Sequence, residues 1–165
     1  MMELKNKIEK IKLLLTDADG VLTDAGVYYG VDGEMLKRFS IRDGMGVERL
    51  LQICNIETGI ITGELSGSIV KRAEKLNIKE LHLGAKNKIV VLEQILKSRN
   101  ISLDEVAYIG DDVNDLGVIE QVGFSACPID AMDEVKEKVH YVSTQKGGNG
   151  CFREIAELII KTHTK

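Results

Sequence analysis

Two aspartates two residues apart, Asp17 and Asp19, stand directly after an apolar stretch at residues 11–16. A second acidic group, Gly110-Asp111-Asp112-Val113-Asn114-Asp115, directly follows another apolar stretch at residues 106–109. Short leucine-rich or β-branched runs of this kind read as buried strands. Side chains alternate along an extended chain, so Asp17 and Asp19 project to the same side at the strand's tip. Carboxylates gathered from two strand ends repel one another unless a cation lies among them, and an all-oxygen set suits a hard ion such as Mg²⁺. A third run, residues 57–61, ends in Thr62-Gly63, and Lys88 opens a helical pattern after a fourth. A hydroxyl, free backbone N–H groups and an ammonium are what phosphate oxygens bind. Taken singly, Thr62 reads as a helix cap and Lys88 as a solvated charge, with Lys86 a competitor two residues earlier.

Positioning these groups falls to an alternation of strand-like and helical patterns. Strands are expected at 11–16, 57–62, 80–83, 106–109 and 123–126, and helices at 46–53, 68–76, 88–97, 114–121, 131–139 and 152–160. That rhythm predicts an α/β fold, a Rossmann-like doubly wound parallel sheet with helices on both faces and ligands at the strands' carboxyl ends. Residues 26–29 and 35–39, around Asp32-Gly33, interrupt the first crossover as a β-hairpin. An isolated hairpin needs something to lie against, and a neighbouring subunit would supply it. Lys146-Gly147-Gly148-Asn149-Gly150 is the one loose-looking stretch, a flexible turn or a functional loop.

The 165 residues suit one domain spanning 1–165, large enough to bury a core without disulfides. With 44% hydrophobic and 29% charged residues the composition is that of a compact globular chain. A formal charge of -4 offers no general attraction to nucleic acid or to an anionic membrane, so an anionic substrate must be attracted locally. No apolar run has the length of a membrane span and the first residues lack a signal peptide's apolar stretch, which makes a cytoplasmic address the expectation. Cys54, Cys127 and Cys151 form no metal or disulfide pattern, and His82, His140 and His163 flank no nucleophile, so these read as packing groups.

Asp-x-Asp, Thr-Gly, Lys and Gly-Asp-Asp-x-Asn-Asp, in this order on successive strand ends, resemble the four motifs of the haloacid dehalogenase superfamily. The resemblance implies a Mg²⁺-dependent phosphatase in which Asp17 attacks phosphorus to form an aspartyl-phosphate. Asp19 then serves as acid and base, and Thr62, Gly63 and Lys88 bind the phosphoryl oxygens. It places the metal between the carboxylates of Asp17 and Asp111 and the backbone carbonyl of Asp19, with Asp112 and Asp115 as supporting groups. Asp19-Gly20-Val21-Leu22-Thr23-Asp24, Lys37-Arg38-Phe39, Arg42-Asp43-Gly44 and Gly147-Gly148-Asn149-Gly150 with Arg153-Glu154 further resemble the capless phosphatases of 3-deoxy-2-keto sugar acids.

That narrower resemblance implies 3-deoxy-D-manno-octulosonate 8-phosphate as substrate, a place in lipopolysaccharide biosynthesis, no cap domain, and a homotetramer whose hairpins pack on neighbours. It also allows the 146–150 loop to lie over an adjacent active site. One departure bears on substrate: the octulosonate branch carries Thr-Gly-Arg where this chain has Thr62-Gly63-Glu64. Glu64 with Arg72 and Lys75 resembles the branch acting on nine-carbon, neuraminate-type 9-phosphates, and makes those three the expected substrate-binding residues. A phosphoacceptor receiver domain is disfavoured, because it places its acidic pair before an isolated phosphorylated Asp on a later strand. A noncatalytic assembly module of the same fold is the remaining alternative.

Overall fold

The computed structural model describes residues 2–164. Helix α1 (Met2–Ile8) precedes strand β1 (Leu13–Thr16), which leads into a hairpin of β2 (Thr23–Gly30) and β3 (Gly33–Phe39). Then follow α2 (Ile41–Cys54), β4 (Glu57–Ile61), α3 (Gly67–Lys75), β5 (Glu80–His82), α4 (Lys88–Arg99) and β6 (Val106–Ile109). The chain closes with α5 (Leu116–Ile119), β7 (Phe124–Cys127), α6 (Asp133–Lys136), β8 (Tyr141–Val142) and α7 (Cys151–His163).

Six strands form one parallel sheet ordered β5-β4-β1-β6-β7-β8, with the hairpin as a separate two-stranded sheet. Alternation along β1 divides the core. Leu13 and Leu15 pack with Leu92, Ile95, Val118 and Val135 on one face, and Leu14 with Val47, Leu50, Ile69 and Ile155 on the other. The chain runs outward from β1 to β4 and β5, then crosses to β6 on β1's other side, so the strand order reverses between β1 and β6. A crevice opens at such a reversal. Thr16 pairs with Ile109 across it, and the Asp17 amide donates to the Ile109 carbonyl at 2.8 Å, which brings the two acidic segments level.

The helices expected at 114–121 and 131–139 are single turns, α5 and α6. Before α5, the Asp115 carboxylate takes the backbone N–H groups of Asp111 and Asp112, a competing use of the chain that keeps the segment a turn. Short α1 and the two-residue β8 were not anticipated, since α1 buries only Ile8 and β8 is too brief for a period to show. Helix α2 starts five residues early because the Ser40 hydroxyl caps it, accepting from the Asp43 amide at 3.3 Å. The hairpin turns on Val31-Asp32, with Gly33 at φ 110°, one residue before the expected dipeptide.

Buried Asp43 explains why Arg42-Asp43-Gly44 and Arg153-Glu154 go together. Helix α7 has Gly150 at its cap position and no side chain of its own there, and Asp43 reaches over from α2 to accept from the Gly150 and Arg153 amides at 3.1 and 2.9 Å. Asp43→Ala removes both bonds and is expected to destabilise the protein by about 2 kcal/mol. Thermal melting should show this as a Tm lower by roughly 4–8 °C.

Candidate active site

Asp17 directly follows β1, with 6% of its surface exposed. Its Oδ1 accepts from the Ala18 amide at 2.7 Å and lies 3.1 Å from the Lys88 ammonium. From the next strand, Asp111 and Asp115 each bring a carboxylate oxygen within 4.8 Å of it and of one another. Burial, reinforced by the Asp115 charge, raises the Asp17 carboxyl to about 6 against the pull of Lys88. Burial and then the charges of Asp17, Asp115 and Asp112 raise Asp111 to about 8. Gly20, at φ 81°, lies so close to Asp111 that a Cβ there would collide with its carboxylate.

Hydrogen bonding separates the two later aspartates by role. Asp115 Oδ1 accepts from Lys88 at 2.7 Å and from the Tyr108 hydroxyl at 2.6 Å, while its Oδ2 faces the Asp111 and Asp112 amides at 3.0 and 3.4 Å. Four donors fill a carboxylate's acceptor sites. Asp111 Oδ1, by contrast, is buried with no partner. A cation therefore fits between Asp111 and Asp17, while Asp115 fixes the turn that carries Asp111 and holds Lys88. Lys88 is 4% exposed, and the surrounding carboxylates outweigh its burial and raise its ammonium above the usual value. The solvated-charge reading thus belongs to exposed Lys86.

Thr62 is buried at the end of β4, and its hydroxyl accepts from the Glu64 amide at 3.2 Å, while Ser66 takes the capping position of α3. Thr62, Gly63 and Glu64 line an open cavity of ≈ 200 Å³ with Asp17, Asp19, Ala25, Asp111, Asp112 and Asn114. A second cavity of ≈ 220 Å³ shares Asp19, Ala25 and Glu64 with it and continues under Val27, Tyr29 and Lys37 of the hairpin. The two together offer a phosphate-sized end and an adjoining chamber.

Arg72 and Lys75 do not join these cavities within the chain. Helix α3 starts at the rim and carries both away from it. Arg72 donates to the Ser40 carbonyl at 2.7 Å and sits 5.6 Å from the centre of the Phe39 ring, and Lys75 is exposed at the helix's far end. The 146–150 stretch is packed on its own chain. The Gly148 amide donates to Val21 and the Gly147 amide to Asp130, and Cβ atoms at Gly147 or Gly148 would strike the backbone of residues 20–24. Lys37, Thr23 and Tyr108 were given no role from sequence. Lys37 and Thr23 stood in the sequence only as members of the runs that resemble the capless phosphatases, and the inward turn of Lys37 on β3 buries its side chain.

Fold and site together define a doubly wound α/β protein whose acidic centre is braced by a buried lysine. Residues 47–155 match the model of the haloacid dehalogenase-like hydrolases. The chain is 41% identical over 155 residues to the 3-deoxy-D-manno-octulosonate 8-phosphate phosphatase of Yersinia pestis, covering 94% of this chain and 82% of that one. A crystal structure of the Yersinia pestis phosphatase superposes with a TM-score of 0.94 at 39% identity, covering 99% of this chain and 88% of the other. The Moraxella catarrhalis phosphatase, in complex with magnesium ion, phosphate ion and KDO, superposes at 0.95 and 35% identity, covering 99% and 94%. The chain belongs to the haloacid dehalogenase-like hydrolase family, and its class is phosphomonoester hydrolase. No helix among the described residues is long and apolar enough to cross a membrane.

Proposed function

We propose that this hydrolase removes phosphate from a 3-deoxy-2-keto sugar acid phosphate, 3-deoxy-D-manno-octulosonate 8-phosphate first, through an aspartyl-phosphate on Asp17. The observation that carries the reading is a buried carboxylate at the tip of β1, braced by Lys88 and facing a cavity with Asp19, Thr62 and Gly63. An Asp17 oxygen attacks phosphorus, the bond to the sugar oxygen breaks, and that oxygen takes its proton from Asp19. Water then attacks phosphorus and yields a proton to Asp19, and the Asp17 carboxylate leaves with inorganic phosphate released. Thr62, Gly63 and Lys88 hold the phosphoryl oxygens. Asp17, Asp111 and the Asp19 carbonyl would hold Mg²⁺, which supplies charge neutralisation between nucleophile and phosphate.

Release of phosphate from eight-carbon and nine-carbon sugar acid phosphates and hexose phosphates, with Mg²⁺ present, tests the reading. Glu64, which lines both cavities, keeps the nine-carbon compounds in contention. Arg72 and Lys75 would touch a substrate only across an assembly. A strong preference for hexose phosphates would overturn the substrate class, and no release from any would overturn the activity. Homotetramer formation is part of the same proposal, supported by the exposure of Tyr28, Val31, Met35 and Leu36 on the hairpin.

Metal removal gives a pH-dependent result. Asp17 at about 6 and Asp111 at about 8 both lie above the ordinary carboxyl value of 3.8, so the metal-free folded chain holds protons that the unfolded chain has lost. Its stability should therefore fall as pH rises from 5 through 8. Mg²⁺ replaces those protons and should restore a Tm gain of roughly 5 °C or more at pH 8 and less at pH 5, read by melting with chelator or with saturating Mg²⁺.

A further inference from the structure

We propose that Lys37 is a positioning residue for the hydrolytic half of the reaction, an inference that rests on the phosphatase reading above. Lys37 sits on β3, yet its side chain is 3% exposed and its ammonium lies 2.5 Å from Asp19 Oδ2. Asp19 Oδ1 is held as well. The Thr23 hydroxyl lies 3.2 Å from it, and since Thr23 already accepts from the Gly20 and Ala25 amides, its own proton points to Asp19. One donor on each oxygen fixes the plane of the carboxylate and leaves one acceptor position on each oxygen, in the wall common to the two cavities.

Lys37 is itself held in place. Glu34 Oε2 stands 3.6 Å from its ammonium, and Glu34 Oε1 accepts from the Ser66 hydroxyl at 2.5 Å, at the start of α3. Ala25, at φ 60°, lies in the irregular stretch of β2 that curls the hairpin over the site. The hairpin thus spans from the loop after Thr62 to the acid/base at the tip of β1, and Lys37 is its contact with the chemistry. When water attacks the aspartyl-phosphate on Asp17, its proton must pass to a free Asp19 oxygen while the Asp17–phosphorus bond breaks. An Asp19 free to swing would be in place for a smaller fraction of the time.

Lys37→Met and Lys37→Arg, assayed with p-nitrophenyl phosphate, test this. The nitrophenolate leaves without needing a proton, so formation of the phosphoenzyme is insulated from Asp19 and its hydrolysis is not. In Lys37→Met, kcat and KM are expected to fall together by about 10- to 100-fold, with kcat/KM within about 3-fold of wild type. A burst of nitrophenolate approaching one per active site and acid-stable retention of phosphate on the protein should accompany the slow turnover. Lys37→Arg should recover most of kcat. A raised KM, an equal loss in kcat and kcat/KM without a burst, or unchanged kinetics would each overturn the proposal. A wild type that releases phosphate from neither this ester nor any sugar phosphate would instead overturn the phosphatase reading.

Discussion

Asp17→Asn is expected to lower phosphate release by roughly 10⁴-fold or more, because removing the proposed nucleophile removes the proposed covalent route and leaves only binding and electrostatic help. Stability should move the other way in the metal-free protein. Asp17 is buried beside Asp115 and Asp111, and its carboxyl is raised to about 6, which marks its charge as unfavourable there. An amide of the same shape removes that repulsion, while Lys88 keeps its 2.7 Å contact with Asp115. Activity lost with Tm unchanged or higher is the expected pair of results. Undiminished hydrolysis would end the case for Asp17, and a collapse in Tm would recast it as a structural residue.

The centre of the site was legible because it is local and one-dimensional. Asp17, Thr62 and Asp111 each follow a buried run directly, and a parallel sheet gathers strand ends at one rim whatever the loops do. The family resemblance favours Lys88 over Lys86 because the family places its lysine just inside the helix, and the structure buries Lys88 beside Asp17 while Lys86 is exposed. Less legible were groups whose role depends on the path of the hairpin. Its apolar residues Tyr28, Met35 and Leu36 are exposed while Lys37 is buried, the reverse of what hydrophobic patterning predicts for a chain alone in water. Periodicity also overstated α5 and α6, since Val118 and Val135 need one buried turn each to cover the sheet. The glycines of 147–150 read as looseness because sequence cannot distinguish a residue that needs freedom from one that needs to be small. Close approach to the backbone of residues 20–24 makes smallness the requirement at Gly147, and Gly148 at φ 61° needs both.

Lys88→Met should reduce both activity and stability, and that joint loss distinguishes the brace from the nucleophile. Lys88 is the cation shared by Asp17 and Asp115, at 3.1 and 2.7 Å, and all three side chains are buried. Deleting one partner of a buried ionic group leaves the others uncompensated, which costs about 3–5 kcal/mol. A Tm lower by roughly 10 °C should follow. If Lys88 binds the transferring phosphoryl group as proposed, its loss should lower kcat by about 10²- to 10³-fold beyond any unfolding. Arginine is not expected to restore the site, because its planar fork does not reproduce the single-point contacts of the buried ammonium with Asp17, Asp115 and Tyr108. Adding Asp115→Asn to Lys88→Met removes one of the stranded charges and should recover part of the Tm without recovering kcat. If the double variant instead melts lower than Lys88→Met alone, Asp115's hold on the Asp111 turn outweighs its charge, and the brace is chiefly a fastening of backbone.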